Sequence, residues 1–574
     1  MFKSYAIAVG RGEHRRRLDQ EAASAGLPLR IGTDELLLVG QANVTSLSSG
    51  DALLVGQAFD RAGEPLTSLP AELTSFDQPD LGPFIERNWG NYALFAASAD
   101  RALVYRDPSG SVPVYRLGGD QQSILVSDAQ IALRLDLLRP QIDPIFLVHW
   151  LQFPFLRTAR SGLEGVTELL PGMSIARSRS GGWTEIPGWH PARFTMPGRA
   201  IEDPAEAARR LRDTALSVIA AQPRGANLIL RLSGGLDSSI IAACLAERGF
   251  RFECINFATR ARDGDERDYA RDVASKFKLR LVEVSEPEEA GLQAARRRSF
   301  RPLINPLLEP FERAVLKATQ ELGGAVVIDG AGGDNLFCSI TSAAPVIDAL
   351  ANGSPGKAAR AAFDIAARAN CTIWDVLSAA LRRAARRRII WKEDRSFLRV
   401  DAMLPACEPH PWLNGLSVPP GKREHIEALV HIQHFLDRSP SSVPSLRPLL
   451  AQPLLELCLL IPSWLWVHGG RDRAIAREAF EGLVPCSVLQ RRIKGSLQSL
   501  LYRSFERLRP DMRQLLFDGE LAHSNIIDTI AVDRALSKEE WKTDSTQLRI
   551  SEMVALELWL RSWNSQPASS STSF

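Results

Sequence analysis

The sequence predicts an α/β protein in two parts. The N-terminal part is β-rich, and the C-terminal part is a parallel sheet wrapped by helices and continued by a large helical extension. Up to about residue 195, short apolar or alternating runs are separated by clusters of Gly, Pro, Asp and Ser, a pattern typical of strands and turns. From Ala205 onward the 3.6-residue period of amphipathic helices dominates. Strand-like runs recur within that pattern, and such alternation of β and α segments indicates a parallel sheet.

The predicted strands are short, and turn-forming residues bound each of them. In the N-terminal part they are Tyr5–Val9, Glu35–Val39, Tyr92–Ala97, Leu103–Tyr105 and Ile124–Val126. In the C-terminal part they are Asn227–Leu232, Arg251–Phe257, Leu279–Val284 and Ala325–Asp329. Beyond Ser339 the pattern is helical and predicts no further strand.

A proline-rich segment separates the two parts. Pro187–Pro204 is interpreted as a linker, so we expect domains at residues 1–195 and 205–574. The most apolar stretch, Pro448–Val467, is interrupted by prolines and polar residues, and therefore predicts a buried helix and not a membrane span. The Ser-rich tail Ser565–Phe574 is expected to be disordered.

Composition excludes several classes of protein. The chain has 574 residues, of which 45% are hydrophobic and 24% charged, as in ordinary globular proteins. The net charge is only +2, so the Arg-rich runs at 296–298 and 382–388 are interpreted as solvated helix faces. A docking surface for an acidic partner is the lesser alternative. No nucleic acid or membrane partner is expected. Seven scattered Cys without a C-x-x-C pair favour a reducing compartment, and we expect a cytoplasmic protein.

The most informative motif is a glycine- and serine-rich loop, Ser233–Ser239, that joins a strand to a helix. Its two glycines let backbone N–H groups approach an anion, and the following helix directs its positive end to the same point. Ser233, Ser238 and Ser239 add hydroxyl groups. Asp237 would repel phosphates unless a hard cation lay between them, so Mg²⁺ is implied. The alternative is a glycine turn with a Ser-rich helix cap.

A second glycine-rich turn, Asp329–Asn335, follows the last predicted strand of the sheet. Strand ends on one edge of a parallel sheet converge, so Asp334 is expected to complete a Mg²⁺ site opposite Asp237. The alternative is a structural Asp-Asn helix cap.

These two segments resemble the nucleotide-binding segments of the ATP pyrophosphatases, and in particular those of the asparagine synthetases and their relatives. The resemblance implies cleavage of ATP to AMP and pyrophosphate, with ATP and Mg²⁺ as cofactors. It implies Mg²⁺ ligation by Asp237 and Asp334. The residues implied in nucleotide binding are Leu232, Ser233, Gly234, Gly235, Leu236, Asp237, Ser238, Ser239, Phe257, Asp329 and Gly330.

A third segment, Pro485–Gly495, resembles the synthetases' stretch that bears an active-site lysine. On its own it is only a basic helix end, but the resemblance implies that Lys494 stabilises charge during phosphate departure and amine attack, and so acts in catalysis with Asp237 and Asp334. Phe435–Arg438 and Arg447–Pro448 resemble a further synthetase region in part, which supports the fold and not a substrate.

The N-terminal part resembles the glutaminase domain of asparagine synthetases. Arg106–Arg116 and Ser127–Gln130 carry the likeness, which implies a sandwich of two antiparallel sheets. That domain normally uses an N-terminal Cys, whereas here position 2 is Phe2 and no Cys precedes Cys244. We expect no glutamine hydrolysis, and ammonia is not the expected acceptor.

A further departure lies in the second turn, where Ala331 replaces the Glu of asparagine synthetases and the aromatic residue of a β-lactam synthetase. An α-amino group, with an ordinary pKa of about 7.7–8.0, needs less help from a base than a Lys amine does. Together with the Ile461–Arg473 stretch, these departures resemble the lasso-peptide cyclases.

That resemblance implies adenylation of an Asp or Glu side chain in a leader-free core peptide, and then attack by the peptide's N-terminal amine. The implied partners are the precursor (core) peptide, a leader peptidase and a leader-recognition protein. An ammonia-dependent asparagine synthetase and a β-lactam-type amidoligase stay open as alternatives. An RNA-thiolating enzyme is disfavoured because the paired catalytic Cys that it needs are missing. A non-catalytic peptide scaffold is disfavoured because the ATP motifs are intact.

Overall fold

The structure is a computed structural model. It describes residues 4–27, 29–46, 52–69, 81–119, 124–177, 182–196, 198–259, 264–285, 291–292, 297–302, 305–339, 341–385, 391–436, 443–491, 495, 498–537 and 545–564. Several predicted features lie wholly or partly outside these residues, namely Lys494, the Ser565–Phe574 tail, parts of both Arg-rich runs, and Asp437 and Arg438.

The N-terminal part contains two antiparallel sheets. Its strands are β1 Ser4–Val9, β2 Leu29–Gly32, β3 Leu36–Gln41, β4 Val44–Ser46, β5 Ala52–Asp60, β6 Asn88–Ala97, β7 Ala102–Arg106, β8 Tyr115–Leu117, β9 Ile124–Val126, β10 Val166–Glu168, β11 Ser174–Arg177 and β12 Trp183–Ile186. One sheet has the order β10-β8-β9-β1-β3-β2 and the other β12-β11-β7-β6-β5-β4. Each N-terminal run predicted above lies in or overlaps one of these strands.

The two sheets pack face to face. Because side chains alternate along a strand, Tyr5 and Ile7 of β1 point to the same side and meet Leu53, Val55 and Phe95 of the other sheet in one buried apolar cluster. The antiparallel sheets that the family resemblance implied are therefore present. The helices of this part are α1 Glu13–Ser24, α2 Gly82–Arg87, α3 Ala129–Arg134 and α4 Pro144–Gln152.

The C-terminal part is built on a parallel sheet. Its strands are β13 Leu228–Arg231, β14 Phe252–Ala258, β15 Leu281–Ser285, β16 Val326–Ile328 and β17 Ser445–Leu446, in the order β15-β14-β13-β16-β17. The parallel sheet and its first four strands are confirmed, with bounds within two residues of the predicted runs. β17 contradicts the expectation that no strand follows Ser339. It has only two residues and lies between prolines, so it leaves no period in the sequence.

Helices surround this sheet and form the extension that follows it. Those within the sheet region are α5 Pro204–Ala220, α6 Leu236–Glu247, α7 Arg267–Phe277, α8 Glu309–Glu321 and α9 Gly333–Leu336. Those that follow are α10 Ala344–Ala351, α11 Pro355–Ala369, α12 Ile373–Ala385, α13 Pro420–Gln433, α14 Gln452–Leu460, α15 Ala474–Ala479, α16 Cys486–Leu489, α17 Gln498–Phe517, α18 Glu520–His523, α19 Thr529–Leu536 and α20 Ser545–Asn564. Short 3₁₀ helices span Pro191–Phe194, Val400–Ala402, Pro448–Leu450 and Ser463–Gly470.

The stretch Pro448–Val467 is buried, but it is not the single helix that was predicted. Extended backbone at Ala451 and Pro462 divides it into a 3₁₀ turn, α14 and a second 3₁₀ segment. Proline lacks the N–H that would continue a helix, which explains the break at Pro462. Among the residues that the structure describes, no helix is long and apolar enough to cross a membrane.

The two parts of the chain are joined by buried polar contacts. Trp189, in the predicted linker, is buried and donates its indole N–H to Glu456 of α14 (3.1 Å), and Arg61 contacts the same carboxylate at 2.9 Å. Arg157 donates to the carbonyl oxygen of Gln433 at the end of α13 (2.9 Å). The predicted linker is thus packed against both parts.

Candidate active site

The loop Ser233–Ser239 lies between the end of β13 and the start of α6, as its sequence predicts. Gly234 has φ +77°, and a Cβ there would lie 2.8 Å from the carbonyl oxygen of Glu266 and 2.9 Å from the amide nitrogen of Ala270. The position therefore needs glycine for its conformation and for its close approach to α7. Gly235 is the N-cap of α6, and no side chain caps that helix end.

The serine hydroxyls hold the shape of this loop. Ser233 and Ser238 lie 3.1 Å apart through their Oγ atoms, and the Gly235 N–H donates to Ser233 Oγ at 3.3 Å. Ser239 is fully buried and donates to the carbonyl oxygen of Gly235 (2.7 Å). Ser233 is the exposed serine among them, whereas Ser238 and Ser239 are buried.

The second turn packs directly against the first loop. A Cβ on Gly330 would lie 2.9 Å from the amide nitrogen of Ser238, and a Cβ on Gly333 would lie 2.2 Å from Cγ of Asp237. Asp329 accepts from the Ala331 N–H (2.9 Å) and from Ser445 Oγ of β17 (3.1 Å). The expected convergence of these strand ends is present, and β17 helps to hold the turn.

Asp237 and Asp334 contact the same guanidinium group. Arg473 Nη1 lies 3.1 Å from Oδ1 of Asp237 and also contacts Oδ1 of Asp334. Its Nε donates to Asp472 at 2.8 Å. Arg473 precedes α15 in the left-handed conformation, with φ +52°. Asp334 lies in the first turn of α9, whose N-cap is Gly332 and which has no side-chain cap, so the alternative role as a helix cap is not what the structure shows.

This cluster is acidic and mostly buried. The side chain of Asp237 is 12% exposed and that of Arg473 is 8% exposed, whereas the side chain of Asp334 is 42% exposed. Burial by itself would lower the pKa of Arg473, but the carboxylates of Asp237, Asp334 and Asp472 raise it above its ordinary value. The guanidinium therefore stays charged and balances part of the negative charge.

The donor set fits a magnesium ion. Carboxylate oxygens are hard ligands, and Mg²⁺ is usually held by one or two carboxylates, with waters and phosphate oxygens completing its shell. In the described ranges, no group of three or more His, Cys, Asp and Glu side chains is arranged to hold a metal. Asp237 and Asp334 would thus supply two ligands to an ion that depends on the nucleotide for others.

The third predicted segment reaches the same loop through Glu266. Arg491 Nη1 lies 2.7 Å from Glu266 Oε1, and the guanidinium carbon of Arg491 lies 4.2 Å from the centre of the Tyr269 ring. The Gly495 N–H donates to Glu266 at 3.0 Å. Glu266 and Tyr269 also contact Gly234. Lys494 is outside the described residues, but Arg491 and Gly495 on either side of it are anchored beside the phosphate loop.

The three apolar residues expected at the nucleotide differ in their surroundings. Leu232 is 1% exposed, and its carbonyl oxygen accepts from the Asn256 side-chain amide (2.8 Å), so it supports the loop from within the core. Phe257, near the end of β14, is half-buried and meets the edge of Phe311 at 4.7 Å. Leu236 is buried at the start of α6.

Sequence reasoning missed the roles of Arg473 and Glu266. Arg473 lies in the Ile461–Arg473 stretch that resembles the cyclases, but its pairing with Asp237 spans 236 residues and no local pattern indicates it. Glu266 precedes α7 in a run of charged residues and has the appearance of an ordinary surface acid.

Comparisons with known proteins give one family. The family model described as asparagine synthase matches residues 223–432 and 440–561, which is more than half of the chain. A search of curated protein sequences gave no match.

Two solved structures are similar at low scores. One is described as the allosteric regulatory enzyme of purine biosynthesis, with a TM-score of 0.18 and 10% identity over 57% of this chain and 83% of that one. The other is glutamine phosphoribosylpyrophosphate (PRPP) amidotransferase from B. subtilis complexed with ADP and GMP, with a TM-score of 0.19 and 9% identity over 57% and 90%. Scores this low carry no argument about this chain.

Proposed function

Because this chain belongs to the asparagine synthase family, whose members are ATP-dependent, AMP-forming carbon–nitrogen ligases, we propose that it is a lasso-peptide cyclase. Its substrate is a core peptide that a leader peptidase and a leader-recognition protein deliver without its leader. The enzyme joins an Asp or Glu side chain of that peptide to the peptide's own N-terminal amine.

The observation that carries the proposal is the lack of a thiol in the N-terminal sandwich. No Cys occurs before Cys244, so the sandwich has no cysteine with which to release ammonia from glutamine. Cys244 and Cys254 are buried in the other part of the chain, and burial raises the pKa of each thiol to about 12. The sandwich therefore has no cysteine with which to supply the amine, which supports a substrate that brings its own amine, as a peptide N-terminus does.

The first step makes a mixed anhydride. An oxygen of the substrate carboxylate bonds to the α-phosphorus of ATP, and the bond from that phosphorus to the pyrophosphate oxygen breaks. Backbone groups of Ser233–Ser239 bind the departing pyrophosphate, with Gly234 and Gly235 allowing the close approach. Asp237 and Asp334 would hold Mg²⁺, which supplies charge neutralisation at the phosphates when bound.

The second step forms the amide. The amine nitrogen bonds to the acyl carbon, the bond from that carbon to AMP breaks, and the amine loses a proton. Lys494 stabilises the negative charge on the acyl oxygen. Ala331 lines a cavity beside this site, and relatives carry a Glu or an aromatic residue at its position. An α-amino group, with an ordinary pKa of about 7.7–8.0, needs less help from a base than a Lys amine does, so it suits this site better.

The space beside the site supports a substrate larger than ammonia. A cavity of about 390 Å³ lies between the two parts of the chain, with Ser4 of the sandwich and Arg301 in its wall. A second cavity of about 300 Å³ reaches Ala331, and both have Ser445 and Arg447 in their walls. Pockets of this volume hold small organic ligands, which are larger than ammonia.

A synthetic, leader-free core peptide tests the proposal without its delivery partners. Purified protein with ATP and Mg²⁺ should release AMP and pyrophosphate and convert the peptide into a product lighter by one water. The peptide acetylated at its N-terminus should still be adenylated but should not close, which separates the two steps. The peptide with Asn or Gln in place of the acceptor acid should do neither.

Aspartate with ammonia is the competing substrate pair. Steady asparagine formation from it, with no reaction of any core peptide, would replace the cyclase by an ammonia-dependent synthetase. Turnover of a small β-amino acid to a lactam would favour the β-lactam-type alternative.

A further inference from the structure

Arg473 occupies the position between the two carboxylates that the proposed function assigns to Mg²⁺. One nitrogen, Nη1, contacts both Asp237 and Asp334. We infer that Arg473 is a built-in counter-cation: it holds this carboxylate pair together in the metal-free protein and gives up the position when Mg²⁺ binds. This inference rests on the proposed ATP site.

Arg473 is held at Nε as well as at Nη1. Nε donates to Asp472 (2.8 Å), and Asp472 is itself held by Arg368 at 3.0 Å and by Ser339 Oγ at 2.9 Å. The left-handed backbone at Arg473, φ +52°, turns its side chain toward the site at the start of α15. Only the distal nitrogens must shift to release the two carboxylates.

The guanidinium and a bridging metal cannot share this position. Mg²⁺ takes oxygen ligands at about 2.0–2.1 Å, so an ion held by the two Oδ1 atoms would compete with Nη1 for them. The Asp237 carboxylate is only 12% exposed, and a buried charge is costly unless other groups stabilise it. Arg473 contributes to that stabilisation in the metal-free protein, and Mg²⁺ must displace it to bind both carboxylates.

If the Arg473 contacts only stabilised the fold, a different result would be expected. In that case removing the guanidinium would destabilise the protein, and metal would not restore what was lost. Competition for one position predicts that the same substitution weakens the metal-free protein and strengthens its binding of the metal, because the two cations are linked through the same carboxylates.

The test uses the full chain without nucleotide or peptide, so it can be interpreted even if the cyclase proposal fails. Mn²⁺ binding, followed by the electron paramagnetic resonance signal of the free ion, is compared in the parent, R473M and R477M. Arg477 is the matched control, since it lies four residues further along, in α15, and donates to the carbonyl oxygens of Asp472 and Leu489. Among the described residues it contacts neither catalytic carboxylate.

R473M should bind Mn²⁺ about tenfold more tightly than the parent, and R477M should not. In EDTA, R473M should unfold at a lower temperature than the parent, and Mg²⁺ should restore much of the difference. Adding D237N to R473M should remove the gain in Mn²⁺ affinity. If R473M does not fold, R473Q answers the same question, because its neutral amide still donates to a carboxylate.

Equal Mn²⁺ affinity in the parent and R473M, or in the parent and R473Q, would overturn the inference. So would a loss of thermal stability that saturating Mg²⁺ leaves unchanged.

Discussion

Gly333 and Asp237 are in such close contact that a Cβ on the glycine would lie 2.2 Å from the aspartate Cγ. The two residues belong to different strand ends, one after β16 and one after β13. Gly333 has no positive φ, so its lack of a side chain matters only for space. The glycine lets the second turn close over the carboxylate and places Asp334 beside it.

Gly333→Ala should therefore disable the site more than the fold. The added methyl group must push Asp237 away, and a displacement of about 1 Å at a reacting centre costs on the order of 10²-fold in rate. AMP formation with core peptide is the measurement, with the unfolding temperature as a check on the fold.

Gly356→Ala is the matched control, because nothing lies within 4 Å of a Cβ at that position in α11. It should leave AMP formation at the parent's level. If Gly333→Ala is as active as this control, the contact with Asp237 does not hold the carboxylate in its working position.

Asp237→Asn and Asp334→Asn should each abolish AMP formation. Both changes remove a negative charge from the pair and so weaken the link between Mg²⁺ and the protein. The side chain of Asp334 is 42% exposed, so its variant should unfold within a few degrees of the parent. AMP release is measured with Mg²⁺ and with EDTA, and equal rates in the two would show that the metal is not required.

Much of the fold could be predicted because the signal is local. The runs that became β13 and β16 are short and apolar, and they are followed by glycine-rich turns; parallel strands then had to meet at one edge. β17 could not be predicted, since Ser445 and Leu446 form a strand only by pairing with Val327 and Ile328. Its identity comes from tertiary contact and not from its own pattern.

Some residues of the candidate site could likewise be predicted from local sequence, and others could not. Asp237 and Asp334 could be paired from sequence because both follow strands of one parallel sheet. Arg473 could not, because it is 139 residues from Asp334 and reaches it from a helix start in a left-handed conformation that Arg rarely adopts. A cation needed by a carboxylate pair can come from any part of the chain.

Glutamine should not be a substrate. Without a cysteine before Cys244, the sandwich has no thiolate to attack the amide carbon. Purified protein incubated with glutamine, with and without ATP, should release no glutamate above the background of a mock preparation. Activity that co-purifies with the protein through several columns would mean that another residue acts as the nucleophile.

The sandwich depends on a buried ion cluster around Glu168. Its carboxylate contacts Arg106 and Arg157 at 2.7 Å each and Arg301 at 3.0 Å. Burial raises the pKa of Glu168, but the three guanidinium groups outweigh this and lower it to about 2. A folded-state pKa below the unfolded one stabilises the protein above the unfolded value of 4.5, and this stabilisation is lost as the pH falls toward 2.

Glu168→Gln should therefore lower the free energy of unfolding at pH 7 by about 3–5 kcal/mol, since three buried guanidinium groups lose a carboxylate that they share. The variant should also lose part of the parent's decline in stability between pH 4.5 and 2. Urea unfolding across this pH range is the measurement, and exposed Glu164→Gln is the control. A variant as stable as Glu164→Gln at pH 7 would show that backbone carbonyls alone satisfy the arginines.

Lys494→Ala should fold and bind ATP but lose macrolactam formation. Negative charge develops on the α-phosphoryl group and pyrophosphate in the first step and on the acyl oxygen in the second, and a mobile ammonium group can serve both. Removing such a group costs on the order of 10²–10³ in turnover. Arg492→Ala, two residues away, is the control for a general loss of basic charge and should stay near the parent.

Glu266 offers an independent check on the same residue, because it anchors both Arg491 and Gly495 beside the phosphate loop. Glu266→Ala should lower turnover by releasing the segment that carries Lys494, whereas Asp265→Ala, which loses a contact to Arg267, should not. In a double-mutant cycle, Glu266→Ala should add little once Lys494 is already Ala, since both changes remove the same positioned charge. Fully additive losses would mean that Glu266 acts on the loop and not through Lys494, and turnover by Lys494→Ala within a few-fold of the parent would make it an ordinary solvated lysine.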